Sequence, residues 1–90
     1  MKKLFKWIYK PSGNCPVQAE GFFLNHYFYF RARHRLATIE FYEDRESFDT
    51  DEPVFYTELK ETEEYQAGWL SKKECKWLVY KGCLKFILGL

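Results

Sequence analysis

The alternation of apolar and polar residues between positions 17 and 41 predicts three antiparallel strands. Every second residue of 17–23, 28–32 and 37–41 is apolar or small, and the residues between them are polar or aromatic. A strand places alternate side chains on opposite faces. The pattern therefore predicts a meander with one wholly apolar face and one polar, aromatic outer face.

Two-residue turns set the register of this meander. Asn25-His26 and His34-Arg35 are the expected turns, because Asn and His adopt a positive φ more readily than most residues. The resulting inner-face pairs are Phe23–Phe28, Gly21–Phe30 and Ala19–Ala32, then Ala32–Ala37, Phe30–Ile39 and Phe28–Phe41. The outer-face pairs are Glu20–Arg31, Gln18–Arg33 and Glu40–Tyr29. Both turns agree with a single apolar face, and a slip of one residue would destroy that agreement.

The C-terminal residues predict an amphipathic helix. Ser71 and Glu74 form a capping box, and Leu70 can complete it as a hydrophobic staple with Cys75. The apolar positions at i, i+3, i+4, i+7 spacing are Cys75, Leu78, Val79, Gly82, Cys83, Phe86 and Leu90. Gly82 either ends the helix or lets it approach the sheet closely. We favour continuation to about residue 88, with Lys73, Lys76 and Tyr80 facing solvent.

The remaining segments extend the sheet. Phe5, Trp7 and Tyr9 alternate with Lys6, Ile8 and Lys10 and predict an edge strand that is ended by Pro11-Ser-Gly13. Residues 44–53 predict an acidic, turn-rich loop, and 54–59 predict a further strand. The expected fold is α+β: a three- to five-stranded antiparallel meander packed against one C-terminal amphipathic helix, in a single domain over residues 1–90.

Composition narrows the class of protein. Apolar residues make up 47% of the chain and aromatic residues 21%, which suffices for a core in a 90-residue domain. Three cysteines without a Cys-x-x-Cys pair predict reduced thiols and a cytoplasmic location. Lys6 and Lys10 interrupt the apolar N-terminus, and no run approaches the ~20 apolar residues of a membrane span. We therefore expect no membrane partner.

The charge is distributed unevenly along the chain. Residues 1–40 carry seven Lys or Arg against two acids, residues 41–70 carry two against ten, and residues 71–90 carry five against one. The acidic middle could fold across the basic parts of the chain, or it could project as a loop that repels a nucleic-acid backbone. This pattern counts against a simple nucleic-acid-binding protein.

Two segments resemble a known group of proteins. Cys-Pro-Val-Gln-Ala-Glu-Gly at 15–21, followed by Phe-Tyr-Phe-Arg-Ala-Arg at 28–33, resembles small, functionally uncharacterised proteins of phages and bacteria, including cyanobacteria. The similarity covers about residues 14–43 well and 66–80 loosely. It implies one compact domain and an accessory role, in a protein encoded by a phage or a bacterium. It implies no activity.

The best candidate binding site is on the predicted outer face. Tyr27, Tyr29, Arg31 and Arg33 occupy alternate positions of one strand. Aromatic and guanidinium groups in this arrangement are typical of surfaces that bind single-stranded nucleic acid or a nucleotide-like anion. The alternative is an ordinary solvated face, in which Glu20 and Gln18 satisfy the two arginines across the strand pair.

Catalytic and metal sites have weaker support. Cys15 could be a nucleophile with His34 as its base, but the sequence identifies no group to orient that base. Cys15, His26 and His34 lack the spacing of common zinc sites. The acidic cluster is Asp44, Glu46, Asp49, Asp51 and Glu52, and it lacks the Gly and the terminal Glu of an EF-hand loop. We assign no catalytic residue, no metal and no cofactor.

The sequence thus favours a non-catalytic accessory protein that binds a macromolecule. The first hypothesis places a nucleic acid, a nucleotide-like anion or a protein on the outer sheet face. The alternative is a protein–protein assembly or inhibitor module that uses the acidic loop and the tryptophans Trp7, Trp69 and Trp77. A homodimer through an edge strand or the outer aromatic face is a natural form of the alternative.

Overall fold

The computed structural model describes residues 4–14, 16–62 and 67–89. Five strands form one antiparallel sheet in the order β1-β2-β3-β4-β5. The strands are β1 (Phe5–Ser12), β2 (Val17–Phe23), β3 (His26–Arg33), β4 (Leu36–Tyr42) and β5 (Phe55–Glu61). Two α-helices, α1 (Ser47–Thr50) and α2 (Lys72–Leu88), and a 3₁₀ turn (Ala67–Trp69) complete the fold. The predicted α+β meander with a C-terminal helix is confirmed.

The two central hairpins test the predicted registers. In the β3–β4 hairpin, Ala32 pairs with Ala37 and Phe28 with Phe41, as predicted. In the β2–β3 hairpin the predicted register is wrong by two residues, because Phe23 pairs with His26. The turn residues are Leu24 and Asn25, with φ of 50° and 67°. Side chains alternate with a period of two, so a shift of two residues leaves every side chain on its predicted face.

The apolar face of the sheet forms the core beneath α2. Its members are Val17, Ala19, Phe23, Phe28, Phe30, Ala32, Ala37, Ile39 and Phe41, all of them buried. Gly21 belongs to the same face and pairs with Phe28 rather than the predicted Phe30. A Cβ on Gly21 would lie 2.7 Å from Cζ of Phe28, so the glycine leaves space for that ring.

The helix begins and continues as predicted. The Ser71 hydroxyl accepts a hydrogen bond from the Glu74 amide at 3.0 Å, which satisfies a free N–H of the first turn. A Cβ on Gly82 would lie 2.7 Å from Cγ2 of Ile39, so this glycine permits a close approach to the sheet and does not end the helix. The helix ends before Gly89, which has φ of 72°. Leu90, the last residue of the predicted stripe, lies outside the described residues.

The flanking segments differ from prediction in two details. β1 is an edge strand, as expected, but it continues through Pro11 to Ser12, with breaks in register that are typical of edges. The acidic segment predicted as a loop contains α1, whose first amide donates to the Asp44 carboxylate at 2.9 Å. Within the described ranges, no helix combines the length and apolar character needed to cross a membrane.

Candidate functional site

Tyr27 and Tyr29 lie on the outer face of the sheet but do not form an open stacking surface. The acidic segment folds back over this face, and the Phe48 ring lies 5.2 Å, centroid to centroid, from the rings of both tyrosines. Tyr27 is fully buried and Tyr29 is half-buried. A base cannot stack on Tyr27 while Phe48 occupies that position.

Glu20 is the polar centre of this covered region. The Tyr27 hydroxyl donates a hydrogen bond to its carboxylate, and Nε of Arg45 lies 3.9 Å from the same oxygen. The Arg45 guanidinium also lies 5.1 Å from the centre of the Tyr27 ring. Burial, and then the Glu20 carboxylate, raise the pKa of Tyr27 and raise the pKa of Tyr9 to about 12.

The register shift gives Arg31 and Arg33 different neighbours from those predicted. Arg31 lies opposite Gln18 rather than Glu20, and the Gln18 amide donates to the Tyr29 hydroxyl at 2.8 Å. Among the described residues, Nε of Arg31 is buried without a hydrogen-bond partner, and neither arginine forms an ion pair. Arg33 is exposed at the end of β3. The alternative in which Glu20 satisfies Arg31 and Gln18 satisfies Arg33 across the strand pair is therefore wrong.

The histidines do not form one site. His26 begins β3 and His34 follows its last residue, so about 25 Å of extended chain separates them. Nδ1 of His26 lies 3.0 Å from the Leu24 carbonyl oxygen, and its ring packs on Phe86. Cys15, the candidate nucleophile, lies outside the described residues. Within the described part of the chain, no cluster of side chains could hold a metal ion.

The acidic cluster has a local structural role. Oδ1 of Asp44 accepts hydrogen bonds from both the amide and the hydroxyl of Ser47 at 2.9 Å. These bonds lower the pKa of Asp44. Nη1 of Arg45 lies 3.7 Å from Asp49. The segment thus holds Phe48 and Arg45 over the sheet.

A second surface lies on the side of α2 that faces away from the sheet. We name it the α2 apolar face; its members are Trp77 (64% exposed), Tyr80 (40%), Leu84 (57%), Ile87 (58%) and Leu88 (59%). The Trp77 and Tyr80 rings meet edge to face at 5.7 Å. Tyr80 was predicted to face solvent, and although it is partly exposed, its ring lies 5.5 Å from the Phe5 ring of β1.

An open groove adjoins this face, between α2 and the start of β1. It has a volume of about 490 Å³ and is lined by Phe5, Phe23, Tyr80, Cys83, Leu84 and Ile87. All six side chains are predominantly apolar, so the groove suits an apolar occupant. Burial raises the pKa of the Cys83 thiol to about 12, which leaves it a poor nucleophile.

Sequence reasoning named Trp77 as a candidate interface residue but missed the rest of the α2 apolar face, although a signal was present. Residues 77, 80, 84 and 87 repeat with spacings of three, four and three, which defines a second apolar stripe on the same helix. The first stripe was sufficient to predict the helix, so the residues of the second stripe were not considered as a separate apolar surface. Phe48 gave no periodic signal, since it is a single apolar residue within an acidic segment.

Comparison with protein-family models, with curated proteins and with solved structures finds no match for this chain. Its function is therefore argued from the two surfaces alone. One is the partly covered outer face with Arg31 and Arg33, and the other is the α2 apolar face.

Proposed function

We propose that this protein is a small, non-catalytic binding protein that contacts another protein molecule through the α2 apolar face. One observation carries the proposal: five large apolar side chains lie next to each other and are 40–64% exposed on a helix whose opposite face is fully packed. A surface helix usually carries one apolar stripe, which faces the core, and polar residues on its opposite side, so a second apolar stripe is unexpected on a free surface. The exposed side therefore has the composition of an interface.

The size of the face supports a protein partner. At roughly 200 Å² per large side chain, the five exposed fractions amount to roughly 550 Å² of apolar surface. The largest contiguous apolar patch on a typical monomer covers ~300–600 Å² and is often functional, so this face is at the upper end of that range. Covering this area would release about 14 kcal/mol at ~25 cal/mol per Å² before the costs of association are subtracted.

The chemistry of the described cysteines supports a non-catalytic role. Burial raises the pKa of Cys75 to about 11 and that of Cys83 to about 12. A thiol must ionise to act as a nucleophile. Both thiols face the core, where they serve as small packing groups.

A photo-crosslinking experiment tests the proposal. The reactive amino acid p-benzoylphenylalanine would replace Leu84 on the face, or Val54, which is similarly exposed (54%) and lies just before β5. After irradiation in cells of the source organism, we expect position 84 to form adducts with a polypeptide. Position 54 should form such adducts in a lower yield. Equal yields, or no polypeptide adduct at position 84, would contradict the proposal.

A second candidate function rests on Arg31. Its Nε lacks a hydrogen-bond partner among the described residues, and the neighbouring Arg33 is exposed, so two guanidiniums remain for the phosphates of a single-stranded nucleic acid. Only about two phosphates would be contacted, which predicts weak binding with a salt slope near −1.4. The acidic segment on the same face would oppose such binding.

Fluorescence anisotropy with a labelled single-stranded oligonucleotide tests this second candidate. We expect binding at 50 mM salt that is lost in the double variant Arg31→Gln, Arg33→Gln. The matched control, Leu84→Gln, should bind like the wild type. Binding that survives loss of both arginines, or no binding at low salt, would remove the outer face as a nucleic-acid site.

A further inference from the structure

We infer that the occupant of the α2 apolar face is a second copy of this chain, in a two-fold symmetric pair of antiparallel α2 helices. The inference rests on the proposed function, since it names the protein that covers the same face. Three observations carry it: the spacing of the exposed residues, the position of the groove relative to Trp77, and the distribution of lysines along α2.

The spacing is that of a helix pair. Trp77, Tyr80, Leu84 and Ile87 follow the alternating three- and four-residue steps of the apolar seam in paired helices. In such pairs the side chains of one helix insert between those of the other.

Trp77 and two residues that line the groove, Leu84 and Ile87, lie at different ends of the α2 apolar face. Trp77, the most exposed member, is seven residues before Leu84 and ten before Ile87, which line the groove. The helical rise places them about 10–15 Å apart along the axis. A two-fold axis near the middle of the stripe brings Trp77 of each copy to the level of Leu84 and Ile87 of the other. The face is thus complementary to itself, as an isologous interface requires.

The area agrees with a dimer. The apolar face supplies roughly 550 Å² per copy at ~200 Å² per large side chain. The aliphatic stems of the neighbouring lysines Lys73 and Lys76 would add to this area. A stable interface buries about 800 Å² on each partner. The α2 apolar face and its rim approach that size.

The lysines favour the antiparallel arrangement. A parallel pair would set Lys73 and Lys76 beside the same residues of the second copy, where like charges repel. An antiparallel pair sets them beside the C-terminal end of the other helix, where the partial negative charge of the last carbonyls is set against a single lysine, Lys85. Nζ of Lys81 lies 3.3 Å from the Leu59 carbonyl oxygen, so this ammonium group is held towards its own sheet and away from the seam.

Sedimentation velocity on the full chain, from 1 to 300 µM and without lipid, tests the inference. The wild type should change from the monomer mass of 11.0 kDa towards twice that value as concentration rises. Leu84→Glu and Ile87→Arg each place a charge in the seam and should weaken the dimer at least tenfold. Val54→Glu carries the same added charge as Leu84→Glu at a similar exposure and should dimerise like the wild type. Circular dichroism would check that each variant is folded.

Three outcomes would overturn the inference in distinguishable ways. A wild type that stays monomeric at 300 µM excludes the second copy; if position 84 still cross-links to a different polypeptide, the proposed function survives. A dimer that persists in both Leu84→Glu and Ile87→Arg places the contact on another surface. The third outcome comes from a separate assay with anionic phospholipid vesicles. If the protein is monomeric without lipid, co-sediments with the vesicles and loses that binding in Leu84→Glu, the face binds a membrane surface and both proposals are contradicted.

Discussion

The inner face of the sheet lies under a 17-residue helix, whereas the outer face is partly covered by a four-residue helix and a single phenylalanine ring. The inner interface consists of apolar side chains, and no buried residue of the described chain is polar or charged. The outer interface combines an aromatic ring with the Tyr27–Glu20 hydrogen bond and the Arg45 guanidinium. One sheet thus has a face held by packing and a face held by packing together with charge.

The two faces should therefore respond differently to substitution of the residues that cover them. Packing energy scales with the apolar area that is buried, does not depend on pH and is not weakened by the screening action of salt. Hydrogen bonds and ion pairs contribute about 1 kcal/mol each and vary with both conditions. Changes beneath α2 should therefore reduce stability most, and changes beneath Phe48 should reduce it less while making it depend on pH.

The largest effect is expected at the centre of the inner face. Phe41 is fully buried and its ring stacks on Phe86 at a centroid distance of 4.3 Å. Phe41→Ala removes that packing and leaves a cavity, so the free energy of unfolding should fall by about 3–5 kcal/mol. Urea denaturation would measure it, with Phe41→Leu as the control that retains most of the volume. A loss below 2 kcal/mol would mean that the inner face can collapse around the cavity.

The close approach of α2 to the sheet predicts the next effect. Gly82→Val introduces a Cβ at 2.7 Å from Cγ2 of Ile39, a clash that should lower the free energy of unfolding by about 1–3 kcal/mol. The matched control is Leu84→Val, two residues later on the exposed side of the helix. It should change the free energy of unfolding of the monomer by less than about 0.5 kcal/mol. Equal losses from both variants would mean that Gly82 is not a packing position.

Phe48, which covers the outer face, should contribute less to the free energy of unfolding than the core residues do. Phe48 contacts the rings of Tyr27, Tyr29 and Tyr42, each at 5.2 Å between centroids. Phe48→Ala removes these contacts and should lower the free energy of unfolding by about 2 kcal/mol, at 0.5–1.5 kcal/mol per aromatic pair. Urea denaturation would measure the loss. Thr50→Ala, in the same short helix but exposed, is the control that should have little effect. A loss equal to that of Phe41→Ala would remove the distinction between the two faces.

The same contrast explains which features could be predicted from sequence. The inner face and α2 repeat their apolar positions over many residues, so periodicity identified both. The β2–β3 register failed because the turn uses Leu24 at a positive φ, a conformation that a leucine rarely adopts and that no local signal announces. Phe48 is a single residue whose contacts lie 6 to 21 positions away in sequence. The α2 apolar face was predictable, but the helix was assigned only one apolar stripe.

The outer face should also make stability depend on pH. Burial, and then the hydrogen bond to Glu20, raise the pKa of Tyr27 above its usual value of 10, and burial together with Glu40 raises that of Tyr42 to about 12. The unfolded chain loses these protons first, so stability is complete below pH 10 and falls as the pH rises towards 12. Each tyrosine contributes at most about 1.4 kcal/mol per pH unit.

Urea denaturation between pH 8 and 11 would measure this slope. Tyr27→Phe removes the titrating group, so the free energy of unfolding should fall less steeply with pH, by the contribution of one tyrosine. Glu20→Gln keeps Tyr27 buried and removes only the charge of its partner, so it should flatten the decline less. A wild type whose stability is constant up to pH 11 would show that the outer tyrosines ionise equally well in the folded and unfolded chain.

The smallest effect is expected at Arg31, although it lies on the same face as Arg45. Arg31→Met keeps an unbranched side chain and removes a charge whose Nε has no partner in the described structure, so the free energy of unfolding should change by less than about 0.5 kcal/mol. Arg45→Met removes a contact with Glu20 and two rings, and should cost about 1 kcal/mol. Thermal denaturation of both variants decides the point. If Arg31→Met reduced stability more than Arg45→Met, Arg31 would contribute to the packing of the outer face. The second candidate function would then lose the free guanidinium on which it rests.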